Sequence, residues 1–164
     1  MLHDMQSFLS YFSSIRRRTV TYIRTLPEEH IDWAPQAGEF TCGDLVRHLG
    51  ASEVMFAGGI ATGEWRYPGH QRKAGESLES LLADLESSHA AAVALLDLLQ
   101  GTDLAVLRPS LKGVPVKTWR LLMAMIEHEV HHRSQLAVYL SLLGIQPPQI
   151  YGLSLEEVIS ILTG

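Results

Sequence analysis

The sequence predicts an all-α fold, an up-down four-helix bundle with a short C-terminal helix, on three observations. Apolar residues recur at three- and four-residue steps through four long segments, the period of a helix with one buried face. Ala, Leu and Glu outnumber β-branched residues through the middle of the chain. Clusters of glycine and proline separate the periodic segments. A length of 164 residues fits a single domain, residues 1–164, with one core.

The elements follow in order. Met5, Phe8, Leu9, Phe12, Ile15, Thr19, Tyr22, Ile23 and Leu26 keep a helical period that stops at Pro27, giving the first helix. Arg16-Arg17-Arg18 falls inside it and reads as a solvated face in preference to an anion site. Residues 27–40 form a loop whose Ile31, Trp33 and Phe40 fold back over the bundle. Thr41, with Asp44 three residues on, has the spacing of a capped start for the second helix, expected to reach Ala57 before Gly58-Gly59. Residues 58–75 are an ordered loop around Trp65 and Tyr67. The third helix spans about Ser77 to Gln100 with Gly101 as its stop, and a loop marked by Pro109, Gly113 and Pro115 follows. The fourth, the longest, runs from about Val116 to Leu143 and ends at Gly144. Ser154 and Glu157 cap a terminal helix, Leu155 to Leu162, expected to pack across one end.

Charge and composition exclude several classes. A net charge of −5, with the arginine triplet as the only basic run, gives no general attraction for nucleic acid. No stretch is apolar and long enough for a membrane span, and no leader pattern opens the chain, so a cytoplasmic protein is expected. The single cysteine, Cys42, leaves no internal disulfide to form and reads as a small semi-buried residue near a helix start.

The histidines carry the chemistry. His128 and His132 stand four apart on the fourth helix, one turn from each other on one face, where two imidazoles can share an ion. Leu121, Met125, Leu136 and Tyr139 share that face, so the pair is expected to point into the bundle. His48, in the middle of the second helix with Leu45, Ser52 and Met55, can meet the pair across the core as a third donor. The spacing by itself leaves two readings open: a metal ion, or a hydrogen-bonded core cluster. His131 points about 100° away from His132 and is expected to be exposed or to support a ligand from behind. His89 is expected in a polar core or supporting role; His3, His30 and His70 receive none. Glu53 turns about 140° from His48 and is expected at the surface or anchoring a loop. Trp33, Trp65 and Tyr151 fit either a pocket mouth or hydrophobic cover.

Two motifs in combination resemble the DinB/YfiT-like family, regarded as metalloenzymes, from the first helix to about Gly152. One is Trp33-Ala34-Pro35 through Phe40-Thr41 to Leu45-Val46-Arg47-His48-Leu49, with Glu53 following. The other is Glu127-His128-Glu129-Val130-His131-His132-Arg133-Ser134-Gln135-Leu136, then Leu143-Gly144 and an exit to Tyr151-Gly152. The resemblance implies metal ligands at His48, His128 and His132, with no departure at those positions. Three neutral imidazoles leave a divalent ion an open coordination position, and nitrogen donors suit zinc or nickel first, with iron possible. It further implies a transferase that activates a low-molecular-weight thiol toward a small-molecule substrate, and a homodimer. The alternatives are a hydrolase using metal-bound hydroxide and a non-catalytic, stress-associated metal-binding bundle. No catalytic residue besides the ligands is identified in the sequence.

Overall fold

The computed structural model describes residues 4–99 and 101–164. His3 and Gln100 lie outside them. Among the described residues there are five α-helices: α1 (Met5–Ile23), α2 (Cys42–Thr62), α3 (Leu78–Leu96), α4 (Thr118–Leu142) and α5 (Leu155–Thr163). Two short antiparallel strands, β1 (Leu107–Pro109) and β2 (Pro115–Lys117), precede α4. No helix among the described residues is long and apolar enough to cross a membrane.

The first four helices form the expected all-α bundle, but not in the simple up-down order expected of it. One apolar cluster joins the start of α1 (Met5, Phe8) to the ends of α2 (Ile60) and α3 (Leu96) and the start of α4 (Leu121, Leu122). The other joins the end of α1 (Ile23) to the starts of α2 (Leu45) and α3 (Leu81) and the end of α4 (Leu140). Thus α1 and α4 run one way while α2 and α3 run the other. The segment between α2 and α3 must therefore carry the chain back along the bundle, which brings it past the histidines.

Several boundaries move for local physical reasons. Helix α2 passes through Gly58-Gly59 and stops only at Gly63, whose φ of +81 supplies the left-handed cap. Gly59 makes room for a neighbour: a Cβ there would lie 2.4 Å from the Trp65 ring, so only glycine admits the indole. Helix α3 ends at Leu96, and Gly101 opens a short 3-10 turn instead of stopping a helix. Helix α4 starts two residues late because Val116 pairs with Arg108 in the hairpin. The Thr41–Asp44 and Ser154–Glu157 pairs both form reciprocal caps. Helix α5 does not pack across an end: none of its residues is buried, and Leu155, Ile159 and Leu162 are exposed.

Between the two apolar clusters lies a buried polar layer. Arg16 and Thr19 come from α1, Ser52 and Glu53 from α2, Glu129 and Arg133 from α4, all at most 5 % exposed. His89 of α3, half-buried, joins them through Glu53. Two sequence expectations are corrected here. Arg16 does not share the solvated face of Arg17; it enters the core and pairs with Glu53 and Glu129. Glu53 does turn from His48, but inward, because a 140° rotation on a helix packed on two sides leads to the core. Burial pushes the Glu129 carboxyl above its ordinary pKa, with the nearby Arg16 guanidinium partly opposing the shift.

Cys42 is fully buried, and burial lifts its thiol to about 11, so it is an inert packing residue beside the α2 cap. Trp33 meets Tyr139 edge-on and Trp65 meets Phe56 edge-on, both as cover over the bundle. Tyr151 is exposed, with the Arg18 guanidinium 5.3 Å over its ring.

Candidate metal centre

Helix α2 brings His48 to the groove that it shares with α4, and the four-residue spacing on α4 stacks His128 and His132 opposite it. The three imidazoles are half-buried in this groove and not pointed at the bundle centre, where Glu129 and Arg133 sit instead. His48 Nε2 lies 3.1 Å from His128 Nε2, and His132 Nε2 lies 3.2 Å from the same atom. Nitrogens bound at zinc distances in a tetrahedron stand about 3.3 Å apart, so two edges of the donor triangle match a metal site and the third lies within 4.8 Å.

The outer ring nitrogens decide which tautomer each ligand adopts. Gln135 donates through Nε2 to the Tyr139 hydroxyl at 3.2 Å, leaving its Oε1 to accept from His132 Nδ1 at 3.0 Å. His132 therefore carries its proton on Nδ1 and a lone pair on Nε2. His48 Nδ1 lies 2.8 Å from the Tyr67 hydroxyl, which in turn lies 2.5 Å from His70 Nδ1. With the hydroxyl donating across the shorter contact to His70, it accepts from His48 Nδ1–H, and in that arrangement His48 also presents a lone pair inward. Two lone pairs thus face His128 Nε2 from two sides. A single proton on that atom cannot serve both well, whereas a cation can.

Electrostatics agree. Burial first, then the neighbouring His132 and His70, lowers His48 to about 4. Burial and the adjacent imidazoles of His132, His48 and His131 take His128 to about 4 as well. Burial likewise lowers His132. All three are neutral at pH 7, the form that ligates metal.

Phe40 and Phe56 flank the triad, with ring centroids 5.4 Å from His48 and 5.7 Å from His128. His131 is exposed and touches the edge of His132, 4.8 Å between centroids. His89 is in the polar layer, 2.7 Å from Glu53, away from the three ligand atoms. Sequence reasoning missed Tyr67 and His70. Arg47 holds the loop that carries them, donating to the His70 carbonyl at 3.0 Å and pairing with Glu76. The only trace in the sequence was a long glycine-rich loop with an aromatic residue, a common place for functional groups.

A helical bundle with a three-histidine donor set in the α2–α4 groove defines the class of this protein. The profile of the DinB family matches residues 1–160, and the chain belongs to that family. A DinB-like protein from Bacillus cereus ATCC 10987 is similar in structure, with a TM-score of 0.76 at 21 % identity over 92 % of this chain and 100 % of that one. A second, from Bacillus subtilis, gives 0.71 at 24 % identity over 87 % and 96 %. At these identities the likeness concerns the fold. No curated protein matches the chain.

Proposed function

We propose that His48, His128 and His132 hold one divalent transition metal, zinc or nickel first and iron next, and that the protein is a transferase activating a low-molecular-weight thiol. The observation that carries the reading is the convergence of neutral Nε2 atoms on one point at metal-site spacing. A bound divalent ion would supply the charge that stabilises a thiolate at neutral pH. The chain's own residues do the rest. Gln135 and Tyr67 orient the ligand imidazoles. Phe40 and Phe56 limit water beside them. Among the described residues, no carboxylate is hydrogen-bonded to the triad: Glu53 and Glu129 face the core. A thiol held as thiolate needs no general base, so transfer is compatible with a triad that has no carboxylate beside it.

The working unit is proposed to be a cytoplasmic homodimer acting on a small molecule, a reading supported by the exposed apolar residues of α5. Light scattering over a wide concentration range tests the dimer. For the chemistry, metal-loaded protein is assayed against a panel of thiols with electrophiles and against simple esters. Thiol-dependent turnover lost in His128→Ala is expected. Ester hydrolysis without a thiol would replace the reading with a hydrolase, and no turnover in either panel would leave a metal-binding bundle.

A further inference from the structure

The arginine triplet has no part in the metal site, yet Arg16 and Arg17 open onto a cleft between α1 and α3 of about 470 Å³. Three arginines line it, Arg16, Arg17 and Arg24, with His89 and the Ser13 hydroxyl, against a single carboxylate, Glu86. That balance is the reverse of the whole chain, which carries 18 acidic and 13 basic residues. Arg17 and Arg24 form no ion pair among the described residues, although most of the remaining arginines do. A second cleft of about 300 Å³ continues beyond Arg17 and Thr21, lined also by Arg18 and Gln149 and by no carboxylate.

Arg16 forms the buried floor of the cleft. Its side chain is 6 % exposed, and Nη2 alone serves both Glu53 and Glu129. Nε and Nη1 have no hydrogen-bond partner. These two N–H groups are sealed from solvent and the Arg16 charge is met by Glu53 and Glu129, so the groups open to an incoming acceptor are the exposed guanidinium groups of Arg17 and Arg24. Guanidinium groups recognise carboxylates and phosphates through paired N–H bonds. Val20 is the one apolar residue of the lining, so the occupant is small and polar.

We propose that the α1–α3 cleft is a binding site for a small multivalent oxyanion, a phosphate ester or a polycarboxylate, held by Arg17 and Arg24 above the buried Arg16. The site is separate from the α2–α4 histidines and does not depend on a metal there.

The test titrates inorganic pyrophosphate and citrate separately into the metal-free, full-length protein at constant ionic strength, following backbone amide and arginine Nε resonances. Saturable shifts are expected at Ser13, Arg16, Arg17, Thr21, Arg24 and His89. The double variant Arg17→Gln/Arg24→Gln, altered only at exposed positions, should bind at least about tenfold more weakly, the loss of roughly 1.4 kcal/mol. His48→Ala should bind as the unaltered protein does. Tighter binding of pyrophosphate assigns a phosphate ligand, and tighter binding of citrate a carboxylate. Non-saturating shifts, shifts reproduced by chloride, or equal affinity in the double variant would overturn the proposal.

Discussion

On the same turns of α2 and α4, two sets of polar side chains stand back to back. His128 and His132 face the outer groove, while their immediate neighbours Glu129 and Arg133 face the core; His48 faces outward five residues before the inward Glu53. Neighbouring residues on a helix diverge by about 100°, which is enough to place one in each environment. The inner set neutralises itself, guanidinium against carboxylate. The outer set does the opposite: His48 and His132 have their ring protons engaged outside, so their lone pairs converge on His128 Nε2. A self-neutralising cluster holds helices together, whereas converging lone pairs can take up a cation.

The sharpest way to separate the two sets is to break the inner one. Glu53→Ala leaves Arg16 and His89 without their shared carboxylate in the core and should destabilise the protein by about 3–5 kcal/mol. Chemical denaturation measures this, and the folded fraction should still bind one metal per chain. Loss of metal in proportion to stability would mean that the two sets act as one.

Tyr67→Phe acts on the outer set only. It removes the acceptor for His48 Nδ1 without touching the core, and metal affinity should fall about 10- to 100-fold with stability nearly unchanged. A chelator-competition titration reads this directly. Equal affinities would show that the loop hydroxyl does not orient the ligand.

Acid gives a smaller, graded effect. His48 and His128 are held near 4 in the folded protein, against 6.5 as their ordinary value, first by burial. Below about pH 6.5 the unfolded chain takes up protons that the folded protein refuses. The metal-free protein should therefore lose stability as pH falls from about 6.5 toward about 4, and less so in His48→Ala. A denaturation midpoint independent of pH across that window would contradict the assigned burial.

The two sets also differ in how far the sequence disclosed them. The outer one was legible because a four-residue histidine spacing has a geometric meaning on a helix, and because His48 lay in mid-helix with an apolar neighbourhood. The inner one was not. Arg16 looked solvated because it sits in a run of three arginines, and no local feature says that the first enters the core. Glu53 was turned correctly, but a rotation is only as informative as the knowledge of what surrounds the helix, and that depends on how α1 and α3 pack. Tyr67 and His70 were hidden for a related reason: a loop's side chains reach the site through the path of the chain between α2 and α3, which periodicity does not encode. The hairpin before α4 was missed because three-residue strands are too short for alternation to show.

Whether the histidine lone pairs meet at one ion is tested most directly by metal analysis of protein purified without an affinity tag. About one equivalent of a divalent transition metal per chain is expected, falling to near zero in His128→Ala and unchanged in His131→Ala. Full metal content in His128→Ala, or none in the unaltered protein after incubation with zinc or nickel, would contradict the shared ion.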